Sequence, residues 1–93
     1  MNTEELRNNA WFKELPLIAI LRGVEPSEVL DIANVLIDNG FRFIEVPLNS
    51  PDAVLSIKML VEAYGEQAVI GAGTVTNIDK LMPVLEAGAR LIV

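Results

Sequence analysis

The 93-residue sequence contains neither cysteine nor histidine. Without cysteine, these residues form no disulfide bond, no thiolate zinc site and no thiol nucleophile. Without histidine, they form no Ser-His-Asp triad and no histidine-ligated metal site. Several common kinds of enzyme centre are therefore excluded within these residues.

Basic residues are also few: seven lysines and arginines stand against 13 acidic residues, which gives a net charge of -6. Because there is no basic stripe, nucleic acid and anionic membranes are poor candidates as partners. The first residues, Met1 to Leu6, are polar and acidic, unlike a secretory signal. The apolar runs are shorter than a membrane span requires. We therefore expect a cytoplasmic protein.

The apolar content is high for a short chain, with 52% hydrophobic residues and a mean hydropathy of +0.41. A domain of this size has much surface for its volume, so many apolar groups need cover from a partner or a larger fold. The chain ends on an apolar run, Arg90–Val93, that resembles the start of a strand. We expect residues 1–93 to be part of one larger domain that is truncated within its fourth strand.

Four short apolar runs predict buried strands of a parallel sheet, at residues 17–21, 43–46, 69–72 and 90–93. Helices with start signals are predicted between them, opening at Pro26, Ser50 and Asn77, and each is followed by a glycine. Residues 3–14 predict one extra helix ahead of the first strand. This alternation is typical of an α/β fold, either a barrel or an open sheet.

Three polar residues, Arg22, Glu45 and Thr74, lie at or near the carboxyl ends of the predicted strands. In both β/α barrels and open parallel sheets, binding and active sites lie at the carboxyl ends of the strands. Strand alternation places Glu45 on the face opposite Ile44 and Val46, so it points into a barrel if those two pack under the helices. Two interpretations of Glu45 remain open: a structural ion pair with an arginine such as Arg22, or a functional carboxylate.

The other polar positions are equally ambiguous. Arg22 is either a solvated strand end or a fork that binds a carboxylate or phosphate. The Gly71–Thr74 segment either forms a tight turn or lets a ligand or neighbouring backbone come close, and it lacks the spacing of a dinucleotide or P-loop motif. Ser50 is predicted to cap the second helix, and Asn49 beside it has a similar ambiguity.

Three segments in order, Leu17–Gly23 (LIAILRG), Ile44–Pro51 (IEVPLNSP) and Ile70–Val75 (IGAGTV), resemble one family. They look like the first three strand ends of the class I 2-keto-3-deoxy-6-phosphogluconate and 6-phosphogalactonate aldolases. The resemblance extends from Leu15 to Val93. The Pro-Leu-Asn-Ser-Pro stretch is more similar to the phosphogalactonate branch, because the phosphogluconate branch more often has arginine and threonine at positions 49 and 50.

The resemblance implies the N-terminal portion of a (β/α)8 barrel, about four strands long, in a homotrimer that needs no metal or cofactor. It also implies a phosphorylated sugar acid as substrate, with pyruvate and glyceraldehyde 3-phosphate as products. In such enzymes a lysine forms a Schiff base with the 2-keto group. Glu45 matches the glutamate that moves protons, and Arg22 the arginine that binds the substrate carboxylate. Thr74 matches the threonine of the pyruvate site, and Asn49 is a further candidate for substrate binding.

The Schiff-base lysine of this family lies on a later strand. Only Lys13, Lys58 and Lys80 are present here, and all three fall in predicted helices. The 93 residues are therefore predicted to lack the nucleophile and to be inactive alone. Two other interpretations stay open: a different phosphate-binding β/α-barrel enzyme, such as an epimerase or a thiamine-phosphate-type synthase, and a catalytically inactive half-barrel fragment.

Overall fold

A computed structural model describes residues 1–93 and contains one parallel sheet of four strands. The strands are β1 (Ala19–Ile20), β2 (Phe43–Pro47), β3 (Val69–Gly73) and β4 (Leu91–Ile92). They lie side by side in the order β1-β2-β3-β4, and every pairing is parallel. The prediction of four parallel strands adjacent in sequence order is confirmed.

Five helices accompany the sheet: α1 (Thr3–Asn8), α2 (Ala10–Glu14), α3 (Pro26–Asp38), α4 (Ala53–Tyr64) and α5 (Ile78–Glu86). The last three connect successive strands, which gives the repeated β/α unit that the sequence predicts. None of the five is both long and apolar enough to cross a membrane.

One face of the sheet, here called the outer face, packs against all three connecting helices. Its core joins strand side chains to buried residues of α3, α4 and α5: Ile44, Val46, Ile70, Ala72, Val29, Ala33, Ile57, Leu60 and Val84. The strand order never reverses, whereas a doubly wound sheet reverses its order and carries helices on both faces. The arrangement is therefore that of the N-terminal part of a (β/α)8 barrel and not of an open sheet.

The opposite, inner face has its own apolar cluster at the amino ends of the strands. Phe43, Val69 and Leu91 are buried there beneath the N-terminal segment that contains Trp11 and Phe12. The rings of Phe12 and Phe43 meet edge to face, with centroids 5.5 Å apart. The short helices α1 and α2 thus close the amino end of the inner face.

Two details of the N-terminal region differ from prediction. The single helix expected over residues 3–14 is wrong, because Asn9 divides it into α1 and α2. The Asn9 side chain accepts hydrogen bonds from the backbone N–H groups of Trp11 and Phe12, which caps α2 and interrupts the helix. The ladder of β1 is also shorter than predicted and is limited to Ala19 and Ile20.

The predicted start of α4 at Ser50 is wrong as well. The helix begins at Ala53, and Asp52 occupies the N-cap position in a left-handed conformation with φ of 43°. Pro51 therefore lies outside the helix, and the Ser50 hydroxyl binds another loop instead. At the other helix ends, Gly40 and Gly88 adopt the predicted left-handed conformation, whereas Gly65 does not.

Candidate active site

Glu45 lies in the middle of β2, on the inner face, and its residue surface is only 5% exposed. Its side chain extends towards β3, where the carboxyl group lies against Gly73. A Cβ atom placed on Gly73 would come within 2.5 Å of Glu45 Cδ. The outer face holds Ile44 and Val46, as alternation requires, so the predicted inward orientation of Glu45 is confirmed.

Two opposing influences act on the acidity of Glu45. Burial raises the pKa of the carboxyl group above the ordinary value, and the positive charge of Arg22 partly offsets that increase. Because a raised pKa brings a carboxyl group closer to neutral pH, it makes the group better suited both to accept and to donate a proton. The Glu45 carboxyl group therefore takes up a proton more readily than an ordinary glutamate does.

Arg22 lies two residues after the end of β1, and the backbone N–H of the intervening Leu21 donates to Glu45 O at 2.9 Å. Its side chain is exposed, while the backbone on either side of it is held by Ser50. An exposed guanidinium beside a buried carboxyl group is positioned to receive an anionic group of a ligand. In the structure Arg22 is thus close enough to Glu45 for its charge to act on the carboxyl group.

Thr74 follows β3 directly and has a φ of 59°. This left-handed conformation is costly for a β-branched residue, and such strained residues concentrate at functional sites. Because the strands are parallel, Thr74 and Arg22 both lie at the carboxyl ends of the strands. Asn49 is exposed in the loop after β2, so all of the predicted site residues lie on or beside the carboxyl half of the first three strands.

None of the three lysines lies on a strand. Lys13 is on α2, Lys58 on α4 and Lys80 on α5, and all three side chains are exposed. No group of three or more acidic side chains is arranged to hold a metal ion. The described site therefore contains a carboxyl group, a guanidinium and a threonine hydroxyl, without an amine beside them.

Comparison with known proteins places this arrangement in a family. A sequence profile described as KDPG and KHG aldolase matches residues 9–93. The chain belongs to the KDPG and KHG aldolase family. A 2-dehydro-3-deoxy-6-phosphogalactonate aldolase of Escherichia coli strain K12 is 48% identical over 83 residues, which are 89% of this chain and 40% of that relative. The chain therefore spans about 40% of the length of this curated relative.

Solved aldolase structures agree with the fold. A native KDPGal structure superposes with a TM-score of 0.82 at 48% identity, covering 85% of this chain and 38% of the other. A KDPG aldolase of Legionella pneumophila, with pyruvate captured at low pH as a covalent carbinolamine intermediate, gives 0.71 at 29% identity, covering 81% of this chain and 35% of the other. Similarity is thus greater to the phosphogalactonate aldolase than to the Legionella phosphogluconate aldolase.

The largest cleft of this aldolase-family chain lies elsewhere. It has a volume of about 480 Å³ and lies between α4 and α5, with Asp52, Asp79 and Lys80 among its lining residues. None of Arg22, Glu45 or Thr74 lines it. Glu45 faces the inner surface of the sheet, and four strands do not enclose that surface as a closed barrel would.

Two residues of the site region were not assigned these roles from the sequence. In the sequence Gly73 is only one member of the small-residue segment Gly71–Thr74, whereas in the structure it makes room for the Glu45 carboxyl group. Ser50 was predicted to cap α4, whereas its hydroxyl links two loops. The closely spaced Gly71 and Gly73 were a sequence signal that a neighbouring group could come close to β3. No local sequence pattern indicated that Ser50 would link two loops.

Proposed function

We propose that residues 1–93 supply the first part of the active site of a class I aldolase. Its reaction is the cleavage of 2-dehydro-3-deoxy-6-phosphogalactonate, or the gluconate epimer, to pyruvate and glyceraldehyde 3-phosphate. The observation that carries the proposal is the placement of Glu45. Its carboxyl group is buried, points to the inner face near Arg22 and has a raised pKa. The experiments use the complete barrel, which is this chain continued by the further strands that its longer relatives contain.

Glu45 is assigned the proton transfers. Cleavage of the C3–C4 bond requires removal of the proton from the C4 hydroxyl group, and the pyruvate fragment must later gain a proton at C3. A single carboxyl group that alternates between its two protonation states serves both steps. The raised pKa of Glu45 favours this alternation. No other residue of β2 or β3 has a titratable side chain, so Glu45 is the candidate for the proton transfers within these residues.

Arg22, Thr74 and Asn49 are assigned to substrate binding. The Arg22 guanidinium is exposed at the carboxyl end of the sheet, where it has donors available for a bidentate interaction with the substrate carboxylate. Thr74 presents a hydroxyl group from a strained position at the same edge and lines the pyruvate part of the site. Asn49 contributes an amide from the neighbouring loop.

The nucleophile is assigned to a lysine outside these residues. In the Legionella relative pyruvate is held as a covalent carbinolamine, which is the adduct of an amine with a carbonyl carbon. Loss of water from such an adduct gives a Schiff base, whose protonated nitrogen accepts the electron pair released when the C3–C4 bond breaks. Lys13, Lys58 and Lys80 lie on helices and none is on the strand beside Glu45, so the 93 residues alone are proposed to be inactive.

The remaining attributes follow from the family resemblance. The phosphogalactonate epimer is the proposed substrate because identity is greater to aldolases of that branch. Homotrimeric assembly and a cytoplasmic location are proposed for the complete barrel, and size-exclusion chromatography with light scattering tests the first.

The experiment is a coupled assay of pyruvate release by the complete barrel, with each epimer of the substrate in turn. We expect turnover of at least one epimer, and we expect Glu45→Gln to lose about 10²–10⁴-fold in kcat, the range typical of general acid–base help. Ser56→Ala, which alters a buried serine on α4, is the control and should keep full activity. Unchanged turnover in the Gln variant would return Glu45 to a structural role.

A further inference from the structure

Ser50 makes an unusual pair of contacts for a loop residue. It is 7% exposed in the loop between β2 and α4. Its Oγ accepts a hydrogen bond from the backbone N–H of Gly23 at 3.1 Å and donates to the backbone oxygen of Leu21 at 3.4 Å. These two backbone groups flank Arg22 on either side, so a single hydroxyl group binds the chain immediately before and after the arginine.

The neighbouring ladder explains why this hydroxyl group is needed. The pairing of Ile20 with Glu45, and the bond from Leu21 N–H to Glu45 O, set the register between β1 and β2. In a parallel ladder the next bonds from β2 would form at residue 47, whose N–H would donate to Leu21 O and whose oxygen would accept from Gly23 N–H. Residue 47 is proline and has no N–H to donate.

Ser50 takes the place of that missing rung. Its own N–H donates to Pro47 O at 3.0 Å, and its hydroxyl group binds Leu21 O and Gly23 N–H, the two backbone groups after β1 that residue 47 leaves without a partner. The next backbone–backbone hydrogen bond along the chain after Leu21 begins only at α3, from Glu28 N–H to Glu25 O. The backbone around Arg22 is therefore fixed to β2, the strand that carries Glu45, through Ser50.

We infer that Ser50 is a positioning residue that holds Arg22 at the distance and orientation from Glu45 needed to bind the substrate carboxylate. The inference rests on the proposed aldolase function and extends it to a residue that touches no substrate. Without the hydroxyl group, the Arg22 segment keeps only the bond from Leu21 N–H to Glu45 O as its attachment to β2, and the guanidinium samples more orientations before it meets the substrate. The expected cost appears in substrate binding and not in the proton transfers at Glu45.

The test uses the complete barrel with Ser50→Ala, Arg22→Met and the double variant. We expect Ser50→Ala to raise KM roughly 10-fold, the order of magnitude for one or two hydrogen bonds, with a smaller change in kcat. In the Arg22→Met background the same serine substitution should leave KM unchanged, because its effect passes through the arginine. Equal effects of Ser50→Ala in the two backgrounds, or no effect in either, would overturn the inference.

Two further variants separate positioning from folding. Ser50→Thr keeps a hydroxyl group and should retain most of the wild-type KM, while Ser50→Val has a similar shape without it and should behave like Ser50→Ala. This pair replaces Ser50→Ala in the cycle if the alanine variant does not fold. The control is Ser56→Ala, since Ser56 is also a buried serine but its Oγ has no hydrogen-bond partner. A wild-type complete barrel without aldolase activity would refute the proposed function itself, whereas an active one with equal KM for the Thr and Val variants would refute only the role of Ser50.

Discussion

The carboxyl group of Glu45 occupies the space in which a side chain on Gly73 would begin. A Cβ atom at position 73 would lie 2.5 Å from Glu45 Cδ, a separation far inside van der Waals contact. Both residues belong to the central strands of the sheet, where Glu45 pairs with Gly71 and Pro47 with Gly73. The glycine on β3 is therefore a condition for the inward, carboxyl-end position of the glutamate on β2.

The Gly73→Ala substitution tests this relationship in the complete barrel. The new methyl group forces the Glu45 carboxyl group out of its position, so we expect kcat to fall by about 10²-fold or more, approaching the effect of removing the acid–base group. Overpacking should also lower the free energy of unfolding by about 1–3 kcal/mol. Steady-state kinetics and urea denaturation measure the two effects.

A double-variant cycle provides the control. Glu45→Asp withdraws the carboxyl group by one methylene, so Gly73→Ala should cost less stability in the Asp background than in the wild type. If the glycine substitution costs the same in both backgrounds, the two side chains do not compete for the same space.

The raised pKa of Glu45 predicts a pH dependence of stability. Because the pKa in the folded protein lies above the unfolded value of about 4.5, the folded state binds the proton more tightly. The contribution of Glu45 is then fully present below the unfolded pKa and is lost as the pH rises through the folded pKa. Relative to wild type, Glu45→Gln should therefore gain stability as the pH rises above about 4.5, as measured by urea denaturation at several pH values. A relative loss over that range would mean that the pKa is depressed.

Arg22 should influence the pH dependence of activity through Glu45. Its positive charge lowers the pKa of that carboxyl group, so Arg22→Met should raise the pKa further and move the acid limb of the kcat/KM profile to higher pH. The matched control is Arg42→Met, because Arg42 contacts Trp11 at the other end of the sheet. An acid limb that stays in place in the Arg22 variant, or moves equally in the Arg42 variant, contradicts the assignment.

The alternation of side chains along the strands and the start and stop signals of the helices were sufficient to predict much of this structure. The inward direction of Glu45 followed from the apolar neighbours Ile44 and Val46, and the parallel order followed from continuous apolar runs between helices. Capping at Ser50 was mispredicted because a serine followed by proline satisfies the local pattern of a helix start. Its actual partners lie 27 and 29 residues away in the chain, at a rung that only the strand register reveals.

The left-handed conformation of Thr74 was also beyond local prediction. A β-branched residue is among the least favoured at positive φ, so its propensity indicates the opposite conformation. This failure of a local rule at a proposed site residue is what is expected where structure serves binding more than stability.

The isolated 93-residue chain should associate with itself. Ile20 is 58% exposed on β1 and Val93 is 62% exposed after β4, so apolar groups remain uncovered at both edges of the sheet. Unpaired strand edges with apolar side chains are templates for association. Size-exclusion chromatography with light scattering should show oligomers or aggregates, or circular dichroism a molten chain. A monodisperse monomer with a cooperative thermal transition would contradict this prediction.

The central claim is that these residues provide the acid–base and binding part of an aldolase site but not its amine. Borohydride reduction in the presence of pyruvate, followed by peptide mass spectrometry, tests it most directly. In the complete barrel we expect one trapped adduct on a lysine outside residues 1–93, retained in Glu45→Gln, and no specific adduct on the isolated chain. Specific trapping at Lys13, Lys58 or Lys80, or no trapping at all in the complete barrel, would contradict the account.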